Sequence, residues 1–82
     1  MTHTYHPKGV CSRQITFDID DSGVVRNVVF TGGCHGNTQG LSRLAEGMNA
    51  HELVSRLKGI RCGLRTTSCP DQLACAIEKA LT

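Results

Sequence analysis

Residues 14–31, QITFDIDDSGVVRNVVFT, decide the fold of this 82-residue chain. As far as Asp20, polar and apolar side chains alternate, and this period of two is typical of a strand with one buried face. The DDSG that follows Ile19 favours a turn. The remainder is rich in β-branched residues, which favour a second strand. The sequence therefore predicts an antiparallel hairpin.

Segments on either side of the hairpin predict the rest of a small α+β fold. Residues 2–8 form a third predicted strand at the edge of the sheet, where Pro7 is tolerated. Three predicted helices follow the hairpin. We therefore expect a single domain over residues 1–82, with a small antiparallel sheet of about three strands packed against three helices.

The first two helices are predicted from apolar side chains spaced three and four residues apart. In the first helix, the predicted apolar face consists of Leu41, Leu44, Ala45 and Met48. Gly47 is suited to end that helix. Asn49 followed by Glu52 is an N-cap signature for the second helix, and Gly59 is suited to end it.

The third helix has the clearest signals. Its predicted apolar stripe consists of Leu73, Ala74, Ile77, Ala80 and Leu81. We expect Cys69 at the N-cap and Pro70 at the first helical position, with Asp71 in the first turn near the positive end of the helix dipole. Cys75 is predicted to point away from the stripe, beside Glu78.

Composition argues against several classes of protein. The net charge of +2 is small and no aromatic residues interleave the basic ones, so we expect no nucleic-acid partner. The polar N-terminus and the lack of a long apolar segment predict a cytoplasmic protein without a membrane partner. In a reducing compartment, five cysteines indicate metal ligands or redox thiols rather than structural disulfides.

Four of the five cysteines lie in predicted turns beside glycine, proline or small residues: Cys11, Cys34, Cys62 and Cys69. Cys34 and Cys69 are at predicted helix starts, which favour the thiolate form. Four thiolates suit tetrahedral zinc or an iron–sulfur cluster, and such a site requires the end of the sheet and the helix starts to meet. His35 and Asp71 are candidate auxiliary residues of the same site.

Two alternative roles for the cysteines remain open. A thiol–disulfide carrier would use Cys69 as its nucleophile and Cys62 as the exchanging partner. A plain interaction domain would bury its cysteines as small apolar residues, and it could form a homodimer through an exposed sheet edge. No serine–histidine–aspartate pattern is visible, so we do not expect the chain to be an enzyme on its own.

Three short strings, TSCPD (67–71), TGGC (31–34) and GIRC (59–62), resemble the TSCPD domain family over nearly the whole chain. Such domains occur near the C-terminus of adenosylcobalamin-dependent ribonucleotide reductases, and short stand-alone members also exist. The resemblance implies a single ligand set made of Cys11, Cys34, Cys62 and Cys69. It also implies that any ribonucleoside-diphosphate reductase role is that of an accessory domain, with the reductase or another protein as partner.

The order of elements is also similar, more distantly, to that of iron–sulfur cluster assembly scaffold proteins. The three cysteine ligands of that family would correspond to Cys11, Cys34 and Cys69. Arg13 stands where the scaffolds carry an aspartate, and Ser68 stands where many carry a histidine. Cys62 has no counterpart and would supply a fourth ligand. A site with four cysteine ligands would hold its metal more permanently than the site of a scaffold protein, which must release its cluster.

Overall fold

The computed structural model describes residues 2–10, 12–32, 35–61, 63–64 and 66–81, with the backbone alone at His35. The elements are β1 (Thr2–Tyr5), β2 (Ser12–Ile19), β3 (Val25–Gly32), α1 (His35–Ala45), α2 (Ala50–Leu57) and α3 (Cys69–Leu81). The predicted α+β class, with three strands and three helices, is confirmed. None of the described helices combines the length and the apolar character that crossing a membrane requires.

The three strands form one antiparallel sheet in the order β1-β2-β3, with a helical layer on one face. The core between the layers contains Ile15, Phe17, Val25, Val28, Ala45, Ala50, Leu53, Leu73, Ala76 and Ile77. The opposite face of the sheet is mostly polar and more exposed, with Thr2, Thr4, Thr16, Asp18 and Arg26 on it. An antiparallel sheet can be solvated in this way on one side.

Two register shifts between β2 and β3 decide which side chains reach the core. One shift lies between Ser12 and Gln14, so Arg13 is an extra residue in β2. Because of this bulge the alternation changes phase, and Ser12 is buried whereas Arg13 is exposed.

The second shift puts an extra residue in β3, opposite Phe17. Asn27 has a φ of 56°, the left-handed conformation that such bulges use. Its backbone N–H donates to Glu46 Oε1 at 2.9 Å. Beyond the bulge, Val28 is 6% exposed and Val29 is 54% exposed, so the inward and outward positions differ from those of an unbroken strand.

The helices begin and end close to their predicted limits. Asn49 Oδ1 accepts a hydrogen bond from Glu52 N at 3.2 Å, which confirms the N-cap of α2. Gly59, just after the end of α2, has a φ of 88°. Two predicted apolar positions are wrong, because Leu44 is 75% exposed and Leu81, at the end of α3, is 37% exposed. The buried side of α1 is centred on small residues, and Leu44 is turned about 100° away from the buried Ala45.

Candidate functional site

Cys69 is the first residue of α3, and its side chain is half-buried beside the start of β2. The Cys69 Sγ lies 3.2 Å from Ser12 Oγ, a hydrogen bond in which either atom can be the donor. Ser12 is 3% exposed. The start of α3 and the start of β2 are therefore in direct contact, although 57 positions separate the two residues in sequence.

Two further segments reach the same place. Gly32, the last residue of β3, is the register partner of Ser12. The carbonyl oxygen of Ile60 accepts a hydrogen bond from Ser68 Oγ at 2.5 Å. The described residues that adjoin or closely precede Cys11, Cys34 and Cys62 along the chain are thus brought near Cys69.

Cys11, Cys34 and Cys62, and the side chain of His35, lie outside the described residues. Within the described part of the chain, no three His, Cys, Asp or Glu side chains are grouped as metal ligands would be. Cys69 is the one described member of the predicted ligand set, so that set stays a prediction.

Ser68, rather than Cys69, caps α3. The Asp71 N–H donates to Ser68 Oγ at 3.2 Å, and the Gln72 N–H donates to the Ser68 carbonyl at 2.8 Å. These are the side-chain and backbone bonds of an N-cap residue. The predicted N-cap at Cys69 is therefore wrong by one residue, and Pro70 is at the second helical position.

Because Ser68 is the N-cap of α3, the surroundings of the Cys69 sulfur differ from those predicted. Pro70 has no N–H to donate, and the N–H of Asp71 is already bonded to Ser68. The hydrogen-bond partner of the sulfur is the Ser12 hydroxyl on the neighbouring strand, not the backbone of its own helix.

Asp71 joins the end of α2 to the start of α3. Its Oδ1 accepts from the Gly59 N–H at 2.7 Å, and its Oδ2 accepts from Thr67 Oγ1. The Thr67 hydroxyl and then the Gly59 N–H lower the pKa of this carboxyl below its usual range, and nearby Lys58 and Arg61 add to the effect against the opposing cost of burial. The carboxylate stabilises the fold around Cys69, whether or not it also contributes to a metal site.

The loop before β2 is attached to the same motif through Gln72. The Gln72 side chain donates from Nε2 to Thr67 Oγ1 at 2.9 Å and accepts from the Lys8 N–H at 3.1 Å. Gly9 has a φ of 75°, and a Cβ at that position would lie 3.0 Å from Thr67 Cγ2. The loop that leads to position 11 therefore packs closely against Thr67.

Cys75 is half-buried on α3, six residues and therefore about 9 Å along the helix axis from Cys69. Burial raises the pKa of its thiol, and the negative charges of Asp71 and Glu78 raise it further, against the effect of Lys58. Lys58 and Glu78 form an ion pair beside it. This environment disfavours the thiolate that metal binding needs.

Sequence reasoning missed Ser12 and Gln72. Ser12 follows Cys11 in the chain, but only the bulge at Arg13 turns it inward, and no local pattern signals that bulge. Gln72 resembles any polar residue of a first helical turn, and both of its bonds are to residues outside α3.

No curated protein and no solved structure matches the chain. The family model named TSCPD domain matches residues 1–81. That span includes the described contacts of Ser12, Gly59, Thr67, Ser68 and Asp71. Because the match covers nearly all of its length, the chain belongs to the TSCPD domain family.

Proposed function

We propose that this TSCPD domain is a non-catalytic metal-binding module with a role in ribonucleotide reduction. Its ligands would be Cys11, Cys34, Cys62 and Cys69, holding either zinc or an iron–sulfur cluster. A closed four-cysteine site of this kind supplies folding energy and leaves no open position for a substrate.

The observation that carries the proposal is the meeting of chain segments around Cys69. Ser12 contacts the sulfur, Gly32 is paired with Ser12, and Ile60 is bonded to Ser68. These residues are one or two positions away from the other three cysteines of the set. The proposed site therefore requires only one or two residues of chain, at about 3.8 Å per residue, to lead from each of these described neighbours to its cysteine.

The surroundings of Cys69 also suit a structural ligand. Its helix is capped by Ser68, and Asp71 ties that helix to the end of α2. A ligand on such a restrained backbone loses little conformational entropy when it binds a metal. A nucleophile that exchanges disulfides must be accessible to its partner, whereas Cys69 is half-buried, and this favours metal binding over a thiol–disulfide carrier.

Metal analysis with matched cysteine variants tests the proposal. The reduced protein is purified without oxygen, and zinc, iron and acid-labile sulfide are measured per chain, together with the absorption spectrum. We expect one metal site per chain in the parent. Serine substitutions at Cys11, Cys34, Cys62 and Cys69 should each remove most of the bound metal and lower the melting temperature.

Cys75→Ser is the control, because Cys75 is more than one helical turn along α3 from Cys69 and the raised pKa of its thiol disfavours the thiolate. It should keep the metal content of the parent. A reduced parent protein that binds neither zinc nor iron would refute the proposal. A reversible disulfide between Cys62 and Cys69 in such a metal-free protein would favour the carrier function instead.

The role in ribonucleotide reduction is supported by the family resemblance. The module would act as an accessory protein that docks to an adenosylcobalamin-dependent reductase. Gel filtration of the metal-loaded domain with such a reductase from the same organism should show co-elution, and metal-depleted Cys69→Ser protein should co-elute less. Separate elution of the loaded domain would argue against this partner.

A further inference from the structure

We propose that Ser12 is a positioning residue of the metal site, and that its hydroxyl donates a hydrogen bond to the metal-bound sulfur of Cys69. This inference rests on the proposed metal binding. It adds a residue that is not among the four predicted ligands.

The position of Ser12 is fixed by the backbone around it. The bulge at Arg13 turns the Ser12 side chain toward the helical layer, and pairing with Gly32 holds its backbone in the sheet. Ser12 is 3% exposed, so water cannot readily satisfy its hydroxyl. Among the described residues, no buried side-chain nitrogen or oxygen lacks a hydrogen-bond partner, and the partner of Ser12 Oγ is Cys69 Sγ at 3.2 Å.

Metal binding determines the direction of this hydrogen bond. A neutral thiol can either donate to or accept from a hydroxyl, whereas a thiolate can only accept. Once Cys69 is a metal-bound thiolate, Ser12 must be the donor. Its hydroxyl then withdraws negative charge from the sulfur and fixes the orientation of the sulfur lone pairs.

Residues that hydrogen-bond to metal ligands commonly change metal affinity by about 10–100-fold when they are replaced. Hydrogen bonds to sulfur also tune the electronic properties of iron–sulfur clusters. Ser12 is placed to have both effects on a site that contains Cys69.

Co²⁺ is a suitable probe, because thiolate-bound Co²⁺ absorbs light by charge transfer from sulfur to metal. Two matched pairs of proteins isolate the hydroxyl. The parent differs from Ser12→Ala by one oxygen, and Ser12→Thr differs from Ser12→Val by a hydroxyl at nearly constant shape. The second pair tests the hydrogen bond even if the alanine variant does not fold. Ser55→Ala is the control, since it removes an exposed hydroxyl bonded to Glu52 on α2.

We expect the parent, Ser12→Thr and Ser55→Ala to bind Co²⁺ with similar affinity and similar spectra. The alanine and valine variants should bind it about 10–100-fold more weakly. Their charge-transfer band should move to longer wavelength, because a sulfur without its donor gives up an electron more easily. A merely structural role for Ser12 would not move this band.

Equal affinities and equal spectra for Ser12→Thr and Ser12→Val would overturn the inference and leave the proposed function standing. A parent protein that binds no Co²⁺, and that also contains neither zinc nor iron when it is purified reduced and without oxygen, would overturn both. The titrations and the metal analysis together therefore distinguish the two failures.

Discussion

Three of the five residues in the TSCPD motif hold the start of α3 in place. Ser68 caps the helix and binds Ile60, and Thr67 and Asp71 bind each other. Pro70 has its φ already restricted to helical values. Cys69 is the remaining residue, and its sulfur is directed at Ser12 on the neighbouring strand. The motif thus combines one candidate ligand with the residues that orient it.

The lowered pKa of Asp71 predicts a specific dependence of stability on pH. A carboxyl with a depressed pKa in the folded protein stabilises it above its unfolded pKa of about 3.9, and this contribution is lost as pH falls through the folded value. Asp71→Asn cannot ionise and leaves its partners poorly satisfied. At neutral pH we expect it to be less stable than the parent by about 1–3 kcal/mol.

Urea unfolding at neutral pH and at pH values below about 4 measures this difference, which should shrink as the parent carboxyl becomes protonated. Asp21→Asn is the control, because Asp21 is exposed and has no hydrogen bond or ion pair within the described part of the chain. It should change the free energy of unfolding by less than about 0.5 kcal/mol at either pH. If the difference in the free energy of unfolding between the parent and Asp71→Asn were the same at both pH values, the ionised Asp71 carboxylate would not be the source of the stability.

At the scale of single residues, the sequence did not predict hydrogen bonds between residues that are distant in the chain. Asp71 is recognisable as an acidic residue in a first helical turn, but its bond to the Gly59 N–H depends on how α2 meets α3. The N-cap was misplaced for a related reason. Both Ser68 and Cys69 precede an apolar stripe, and only the hydrogen bonds of Asp71 and Gln72 distinguish the two positions.

At the scale of secondary-structure elements, periodicity predicted the hairpin and all three helices. It failed where the period is broken. A bulge adds one residue without changing the local composition, so the inward positions of β3 beyond Asn27 could not be derived from alternation. In α1 the wide spacing of small residues leaves more than one helical face open to burial, and the structure buries Ala45 rather than Leu44.

The bulge at Asn27 gives a prediction for β3. Because Asn27 has a φ of 56°, a β-branched residue there is strained, whereas glycine is not. Asn27→Val and Asn27→Gly both lose the side-chain bond to Asp18 Oδ2, so comparing them isolates the backbone effect. We expect Asn27→Val to be less stable than Asn27→Gly by about 1–3 kcal/mol in urea unfolding. Equal stability would mean that the bulge can relax into a regular strand.

At the scale of the whole molecule, the start of α3 is where distant parts of the chain are joined. It contacts the loop before β2 through Lys8, β2 through Ser12, and the end of α2 through Gly59. The contact between Gly9 and Thr67 belongs to the same junction. Stability at this junction therefore depends on close packing between segments that are far apart in sequence.

A double-mutant cycle on Gly9 and Thr67 tests that packing. Gly9→Ala places a methyl group 3.0 Å from Thr67 Cγ2, in addition to the strain of its positive φ. Gly23→Ala is the matched control, because its φ is 76° and a Cβ there meets open space. We expect Gly9→Ala to be the more destabilising substitution by about 1 kcal/mol or more.

Thr67→Ser removes the methyl group and keeps the hydroxyl that bonds to Asp71. In that background, the cost of Gly9→Ala should fall toward that of Gly23→Ala, with a coupling energy of about 0.5–3 kcal/mol in thermal or urea unfolding. If the two substitutions changed the free energy of unfolding additively, a residue at position 9 and the Thr67 methyl group would not be in close contact.

The candidate site illustrates what sequence can supply at this scale. Turn composition and family likeness grouped the four cysteines, and the structure brings described neighbours of each to Cys69. Ser12 could not be found in this way, since its role depends on a bulge and on a contact across 57 positions. Long-range contacts of this kind are fixed only by the packing of the whole chain.

The bond between the Lys8 N–H and Gln72 joins residues that are 64 positions apart, and it has a consequence for biosynthesis. On the ribosome, the sheet and the first two helices emerge before α3. Ser12 has no sulfur to bind until α3 docks, and three thiols of the proposed set are exposed to solvent chemistry before the fourth arrives. Loading of the proposed metal site would then have to wait until α3 has docked. If the proposed site is formed, a defect in the docking of α3 would be observed first as a lower metal content per chain.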